Sequence, residues 1–540
     1  MEKSATGFFC MLKLFFLFCI LSVAGAHAGS SSLKLLSRDL QKQLENKPGH
    51  LPELQSPAVN AFYKDHNYKP LWSAADGKLN RAYDLLQVII HADDEGLKPS
   101  DYYFDEIKHY WNSTDPVDVI QLDLLLSAAL YAYSNHIYSG RFNPAELDAD
   151  WHIENQKLDA SRLFADVADK ESIATLLKEL LPPHDGYVRL KKELQRLRKI
   201  EQQGGWKKFT SGPTLEPGVQ HQQVAQLRHR LIETGGLAEG PLRDLDFFTG
   251  ELENAVKSYQ GRHGLEMDGR VGPQTRRSLN VSVSAKIRQV LINMERWRWM
   301  PRKLGVRYLM VNMTGFELYI MENGSPELVM PVIIGKSYRA TPSFSGVLSV
   351  MEYNPYWTIP DTLVIKDIVP RQISDSTYLK RKSIRVFRGW GKNAVEIDPQ
   401  TVNWQTLDEE SLPYWFRQDP GPINSLGRVK FLFSNPYAVY LHGTPDQHLF
   451  ERLVRTFSSG CIRVKDPVQL AAYLLNDGSQ QMEEEVLANI HLGSNQSVRL
   501  PIAVPIYLVY WTAWVDQADN INFRPDIYGR DAALNGLFDH

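Results

Sequence analysis

The sequence predicts a multidomain α+β protein: a helical scaffold domain, a small three-helix domain, and a β-rich domain with a helical cap insertion. Length and changing apolar periodicity support this prediction. At 540 residues the chain is too long for one hydrophobic core. Apolar residues recur at helical spacing before about residue 280 and alternate from Tyr308 onward.

Residues 1–28 are predicted to be a cleavable secretory signal peptide. Lys3 and Lys13 accompany a short apolar run, residues 14–23, and the small residues Ala26 and Ala28 follow it. This is the pattern of an export signal that is cut after about Ala28. The apolar run is short for a membrane span, although retention as an N-terminal anchor remains an alternative.

Residues 50–200 are predicted to form the helical scaffold domain. The segment 117–140 places apolar residues at helical spacing, with Asp115 as the expected start and Gly140 as the expected end. Asp101 is a second expected helix start. The domain contains no cluster of titratable residues, so a structural role is expected for it.

Gly, Pro, Ser and Thr dominate residues 201–220, which are interpreted as a linker. Residues 221–282 then predict three short helices, with Ala255, Val256 and Tyr259 on a core face beside Leu265. The stretch "FFTGELENAVKSYQGRHGLEMDGRVGPQTRRSLN" resembles the small peptidoglycan-binding domain of many wall enzymes. The resemblance implies that fold and implies peptidoglycan as the ligand, although such modules also act as spacers.

Residues 305–518 are predicted to form the β-rich domain. "RYLMVNMTGFELYIMENGSPELVMPVIIG" alternates apolar and polar residues around a hairpin turn at 322–325. The charged segment 366–418 interrupts the strand pattern and is interpreted as a cap insertion, with helical pieces, that forms a lid over a cleft. Residues 519–540 are taken as a C-terminal tail.

Cysteine usage points to a reactive thiol. Two of the three cysteines, Cys10 and Cys19, lie in the signal, so an exported chain keeps Cys461 alone. Such a cysteine suggests an intermolecular bridge or a reactive thiol, with an inert buried cysteine as the alternative. A redox role is not favoured, because there is no second cysteine to resolve a mixed disulfide. A zinc site of His442, His448 and Cys461 is not favoured either, because it has no obvious fourth ligand.

A base and a positive field are expected near the thiol, because the thiolate is the nucleophile. His442 ends a predicted strand, and a helix and turn over residues 449–460 lead back to Cys461. The N–H groups of Gly460 and Cys461 are candidate oxyanion donors. Arg463 adds positive charge that favours the thiolate and is suited to a substrate carboxylate.

Two stretches, "VYLHGTP" and "FSSGCIRV", are similar to the signature of L,D-transpeptidases. "ATPSFSG", "NPYWTIP" and "PGPINSLGRVKFLFSN" resemble the large periplasmic members of that family, as does the order of domains along the mature chain. Many members have histidine directly before the Gly-Cys pair. This chain has Ser459 there, which removes any second-histidine role at that position.

The resemblance implies roles for single residues. Cys461 would be the acyl-accepting nucleophile and His442 the general base, with the backbone carbonyl of Gly443 orienting the imidazole and the backbone of Gly460 serving the oxyanion. The residues expected to contact substrate are Tyr440, Ser459, Arg463, Trp357 and Tyr356. Core packing is the alternative for Tyr440.

The resemblance implies a reaction on peptidoglycan tetrapeptide stems. The enzyme would form a thioester, release D-Ala and join third residues, which are diaminopimelate, with no metal or other cofactor and with carbapenems as acylating inhibitors. It would act in the periplasm, associated with the wall, in cell-wall biogenesis and cell shape, with other wall-synthesis enzymes as candidate partners. Nucleic acid is not an expected partner, because 60 basic and 63 acidic residues leave no basic field.

No membrane span is expected after signal cleavage. Two classes of alternative stay open at this point. One is an L,D-carboxypeptidase or an acyltransferase that attaches lipoprotein to the wall. The other is a non-enzymatic wall-binding scaffold whose thiol is incidental.

Overall fold

A computed structural model of the chain describes residues 35–46, 49–74, 77–169, 172–238, 245–476 and 478–538. The predicted signal peptide, residues 1–28, lies outside these ranges. The chain divides into two compact units. The first contains the residues up to Asn143, Asn155–Lys199 and Met294–Arg302, and the second contains Pro144–Glu154, Ile200–Asn293 and the residues from Lys303 onward.

The first unit is helical, as predicted. Its α-helices include residues 35–45, Pro57–Asp65, Asn80–Ile90, Phe104–Tyr110, Pro116–Ser139, Ala160–Asp169, Ile173–Leu180 and Asp185–Gln202. Shorter elements are the 3-10 turns Pro52–Gln55, Ala92–Glu95 and Pro99–Tyr102 and the strand pair β1 (Ser73–Ala74) and β2 (Gly77–Lys78). The apolar helix faces meet in one buried cluster that runs from Leu40 to Leu177.

The helix Pro116–Ser139 begins and ends where the sequence predicts. The Asp115 side chain accepts a backbone N–H at 2.8 Å, and Gly140 leaves the helix at φ 93°. The helix is long and apolar enough to cross a membrane, but 72% of its apolar window is buried within the protein, as in a core helix. The prediction for Asp101 is wrong, because Asp101 lies inside the 3-10 turn Pro99–Tyr102.

The second unit contains three helices between residues 221 and 282, namely Gln222–Glu233, Gly250–Arg262 and Pro273–Leu279. Thr249 caps the second helix by accepting the Leu252 N–H at 3.3 Å. Gly264 then turns the chain at φ 63°. The predicted core face is confirmed, because Ala255, Val256 and Tyr259 are buried and Leu265 packs against them. The helix Val283–Arg298 follows, and its last residues, from Met294 onward, belong to the first unit.

In chain order, the strands of the second unit are β3 (Trp151–His152), β4 (Arg307–Asn312), β5 (Glu317–Glu322), β6 (Ser325–Gly335), β7 (Ser343–Tyr353), β8 (Trp357–Ile359), β9 (Ile384–Arg388), β10 (Val395–Ile397), β11 (Trp415–Gln418), β12 (Val429–Phe433), β13 (Leu441–His442), β14 (Thr456–Ser458), β15 (Ile462–Val464), β16 (Gln496–Val509), β17 (Ala513–Val515) and β18 (Ile521–Phe523). The main sheet has the order β12-β13-β15-β6-β5-β4-β16-β7-β3, with β14 beside β6. β12 also pairs with β7, which closes the circuit of strands from β12 to β7. Helices Pro467–Leu475 and Gln480–His491 contribute to its apolar core.

β13 and β15 are parallel neighbours, with Leu441 opposite Ile462 and His442 opposite Arg463. Two parallel strands need a crossover connection. The prediction of a helix followed by a turn for that connection is wrong. The chain instead forms a short 3-10 helix, Gln447–Glu451, and then β14, which runs parallel to β6.

The insertion is larger than predicted and is not only helical. Its sheet has the order β10-β9-β11-β8, and β8 begins at Trp357, ahead of the predicted start at residue 366. Helical pieces are present as Asp361–Leu363, Val364–Ile368, Val369–Ser374 and Tyr378–Arg381. These elements enclose an apolar core of their own, so the insertion is a small α+β body built on a sheet.

Two segments outside residues 305–518 join the β-rich region. β3, which the sequence assigned to the helical scaffold, pairs in parallel with β7. The predicted tail is folded over its described part: β18 pairs with β17, and a helix spans Asp531–Leu537. Arg530 links the two segments, since its guanidinium donates to Asp150 at 2.8 Å.

Candidate active site

The strand register brings four predicted site residues to one face of the main sheet. Leu441 and Ile462 lie opposite each other and are both fully buried in the core. Ile462 N–H donates to the Tyr440 carbonyl at 3.1 Å, which extends the pairing by one residue. Side chains alternate along a strand, so the opposite face carries Tyr440, His442, Cys461 and Arg463.

His442 is buried and held by its own chain. Its Nδ1 lies 2.6 Å from the Gly443 carbonyl oxygen. A donor at Nδ1 leaves Nε2 as the basic nitrogen. Burial lowers the pKa of His442 to about 3, and the positive charge of Arg463 adds to the effect. The imidazole is therefore neutral at physiological pH.

The Cys461 thiol is partly exposed and protonated at rest. Its Sγ lies 3.6 Å from the Ala438 carbonyl oxygen. Burial raises the thiol pKa, while hydrogen bonds from the Tyr440 backbone and side chain and the charges of Lys430 and Arg463 oppose that rise. In the described part of the chain, the hydrogen bonds of the thiol join it to Ala438 and Tyr440, and none joins it to His442.

A short loop sets the backbone before the thiol. Gly460 has φ +112°, a conformation that favours glycine. The Ser458 hydroxyl donates to the Cys461 carbonyl at 2.5 Å and accepts the Gly460 N–H at 3.2 Å. The N–H predicted as an oxyanion donor is therefore already engaged. Thr341, which is fully buried, donates its hydroxyl to the Gly460 carbonyl at 2.8 Å.

Arg463 was expected to suit a substrate carboxylate. In the structure its guanidinium already pairs with the Asp446 carboxylate at 3.1 Å. A second cation on this part of the sheet was missed. Lys430 lies opposite His442 on β12. Its ammonium lies 4.4 Å from the ring centroid of Tyr440 and 3.9 Å from a carboxylate oxygen of Glu352. The only signal in the sequence was the place of Lys430 in the strand alternation.

The two aromatic residues predicted from "NPYWTIP" have different surroundings. Trp357, at the start of β8, forms a side-chain hydrogen bond with Tyr440, so it reaches the site. Tyr356 is 40% exposed and lies under the guanidinium of Arg417, whose central carbon is 4.3 Å from the ring centroid. Tyr356 is thus part of the insertion surface.

A second link joins the insertion to the nucleophile loop. The Arg339 guanidinium donates to the Ser459 hydroxyl at 3.0 Å and pairs with Asp367 of the insertion at 2.8 Å. Arg339 was missed, because only the fold brings residue 339 to residue 459.

The alternative zinc site has no ligand set in this structure. His448 lies on the 3-10 helix Gln447–Glu451. Across the described ranges, no three His, Cys, Asp or Glu side chains are grouped so that they could hold a metal ion. The arrangement around Cys461 instead offers a thiol, a neutral imidazole and backbone donors, which suit acyl transfer.

Comparison with protein families matches three regions. Residues 57–194 match a "Scaffold domain", residues 220–279 a "Putative peptidoglycan binding domain" and residues 306–487 an "L,D-transpeptidase catalytic domain". A "Putative L,D-transpeptidase" of Haemophilus influenzae is 34% identical over 229 residues, which are 42% of this chain and 45% of the relative. The matched stretch thus spans less than half the length of that relative.

Two solved structures are also similar to part of the chain. One is an L,D-transpeptidase from Xylanimonas cellulosilytica, with 14% identity, a TM-score of 0.18, and coverage of 56% of this chain and 99% of that one. The other is an L,D-transpeptidase from Stackebrandtia nassauensis, with 15% identity, a TM-score of 0.20, and coverage of 55% and 97%.

Proposed function

We propose, for a chain that belongs to the L,D-transpeptidase family through residues 306–487, that it cross-links peptidoglycan stem peptides through a thioester on Cys461. One observation carries the proposal. A partly exposed thiol and a buried, neutral imidazole share one face of two adjacent strands inside the matched region. The resting thiol turns toward Tyr440, and substrate binding would bring it to His442, as catalytic hydrogen bonds often tighten only in the complex.

The first step forms the thioester. His442 Nε2 takes the thiol proton while Sγ attacks the carbonyl carbon of the third stem residue. The Cys461 N–H stabilises the oxyanion, and the Gly460 N–H would join it by leaving the Ser458 hydroxyl. The bond to the terminal D-Ala then breaks, and the imidazolium returns the proton to the leaving amine.

The second step transfers the acyl group. The side-chain amine of a third residue on a neighbouring stem attacks the thioester carbon while His442 takes a proton from that amine. The acyl C–S bond then breaks, and the imidazolium gives that proton to the departing Cys461 sulfur. The product is an amide between two third residues, which are diaminopimelate. The thioester keeps the energy of the broken peptide bond, so no other energy source is required.

The wider setting belongs to the same proposal. Export by residues 1–28 would place the enzyme in the periplasm, and the module over residues 220–279 would hold it on the wall. A strained β-lactam carbonyl presents the same electrophile to the thiol, so carbapenems should acylate Cys461. Wall biogenesis and cell shape would depend on the cross-links.

Mass spectrometry of the purified chain incubated with tetrapeptide muropeptides tests the proposal. A dimer lighter than two substrates by one D-Ala is the expected product, and the protein alkylated at Cys461 serves as the control. A shortened tripeptide alone would instead identify an L,D-carboxypeptidase, in which water replaces the acceptor amine. If neither the stem amine nor water acts as acceptor and no product forms, the proposal is contradicted.

A further inference from the structure

A large pocket lies away from Cys461, where the small helical module meets the C-terminal segment of the β-rich region. Its volume is about 710 Å³, within the range of small-ligand sites. The module contributes His263 and Arg277, the following helix contributes Lys286, and the C-terminal segment contributes Phe523 and Arg524. Apolar walls come from Leu265, Val281, Ile292, Leu453 and Val454.

Lys286 lines this pocket with its side chain almost fully removed from solvent. Its residue exposure is 8%, and its Nζ lies 3.9 Å from the ring centroid of Phe523. No carboxylate of the described residues lies within 4.0 Å of that nitrogen. An ammonium ion in such a place is unfavourable without an anionic partner.

The two acidic residues of the pocket are engaged elsewhere. Asp526 accepts the Tyr510 hydroxyl at 2.6 Å and the Arg530 N–H at 2.8 Å. Asp531 accepts the Thr512 hydroxyl at 2.7 Å. Neither carboxylate neutralises Lys286, so among the residues that the structure describes this ammonium has no ion-pair partner on the pocket wall.

The position of Lys286 in its helix adds to the imbalance. It lies in the first turn of Val283–Arg298. The positive end of the helix dipole disfavours a cation there and favours an anion. Arg277 and Arg524 add positive charge at the same pocket. A bound anion would stabilise the buried ammonium of Lys286, the N-terminal end of its helix and the two arginines of the pocket.

We propose that this pocket binds a carboxylate of a peptidoglycan stem peptide, with the anion at Lys286 and the aliphatic parts of the peptide on the apolar walls. The proposal rests on the proposed function for the choice of ligand. Leu453 and Val454 belong to the segment between His442 and Cys461. A stem peptide bound in this pocket would therefore contact the segment of the chain that leads to Cys461.

The charge state of Lys286 gives the site a pH dependence. Burial lowers the pKa of Lys286 to about 7, and burial likewise lowers that of the neighbouring His263. The other charged groups that line the pocket are Arg277, Arg524, Asp526 and Asp531. Because only the ammonium form attracts a carboxylate, affinity should fall roughly tenfold per pH unit above pH 7, whereas an ordinary lysine would hold the anion to about pH 10.

Calorimetry of the full chain with a disaccharide-tetrapeptide muropeptide tests the site, in a Cys461→Ala background that prevents turnover. Lys286→Met should weaken binding at the pocket about ten- to a hundredfold, while Lys286→Arg should retain most of it. Lys257→Met is the matched control, because Lys257 lies on the same module, pairs with Glu253 at 2.7 Å and is 39% exposed. That control should bind as the background protein does.

Equal affinity of the Lys286→Met and background proteins would overturn the inference. If Lys286→Met does not fold, a muropeptide amidated at its carboxylates gives the same test on unaltered Lys286, and unchanged affinity overturns it. Inorganic phosphate that competes as well as the muropeptide would identify a general anion site and overturn the peptide assignment. Turnover by the chain with Cys461 intact is measured separately, so a failure of the pocket is distinguishable from a failure of the proposed reaction.

Discussion

Buried ionisable groups occur in both units, but their partners differ. In the helical unit, Asp123 is fully buried and burial raises its pKa to about 6. It accepts hydrogen bonds from the Tyr63 hydroxyl at 2.8 Å, the Trp72 N–H at 2.9 Å and the Leu71 N–H at 3.2 Å. All of these partners are supplied by the helical unit itself.

The buried ionisable groups of the second unit have different surroundings. The imidazole of His442 is held by the backbone of Gly443 and Leu426 and lies on the sheet face that carries a partly exposed thiol. Lys286 lines a pocket without a carboxylate partner in the described chain. A shifted pKa therefore does not by itself mark a functional site. What distinguishes the two kinds of group is what lies beside them: Asp123 lies among hydrogen-bond donors of the helical unit, whereas His442 shares a sheet face with a thiol and Lys286 lines a pocket.

The sharpest test of this comparison is Cys461→Ala. Removal of the thiol should reduce cross-linking turnover by roughly 10⁶-fold and should change the free energy of unfolding by about 1 kcal/mol or less. His442→Ala should lose a comparable amount, and the double variant should be little worse, because the two residues act as one unit. Product analysis and chemical denaturation measure the two effects. Cross-linking near the level of the unaltered protein in Cys461→Ala would contradict the assignment of the nucleophile.

Asp123→Ala should show the opposite behaviour. The change leaves the Leu71 and Trp72 N–H groups buried without their acceptor, so the free energy of unfolding should fall by about 2 kcal/mol. The turnover number should not change at a temperature where the variant is folded. Asp105→Ala, on the exposed surface of the same unit, is the control for denaturation. A large loss of turnover in folded Asp123→Ala would show that its buried carboxylate serves more than structure.

Local sequence signals predicted the parts of the site that are close together in the chain. His442 ends a predicted strand and is the last residue of β13, and Cys461 follows Gly460, which adopts a positive φ. Lys430 and Arg339 were missed because they reach the site only through strand pairing and the packing of the insertion. The addition of β3 to the main sheet was missed for the same reason, since two strand residues carry no periodic signal.

Tyr440→Phe should have an intermediate effect. The Tyr440 hydroxyl binds the thiol and lowers its pKa, so its removal should slow acylation about tenfold. The pH profile of Cys461 alkylation by iodoacetamide should move to higher pH, which a purely structural role would not cause. Tyr437→Phe is the matched control, because that ring stacks on His152 at 4.5 Å. An unchanged alkylation profile in Tyr440→Phe would show that the hydroxyl does not tune the thiol.

The smallest effect is expected for Asp367→Asn, which breaks the ion pair between the insertion and Arg339. The two side chains are 34% and 16% exposed, and pairs of this kind contribute about 0.2–1 kcal/mol. Acylation should therefore change only about two- to fivefold. Hydrogen exchange over residues 361–374 should quicken, because that part of the insertion loses a link to the loop that carries Ser459. Asp375→Asn is the matched control, since Asp375 pairs with Arg381 inside the insertion. Equal exchange in the two variants would mean that the Arg339 link does not hold the insertion against the site.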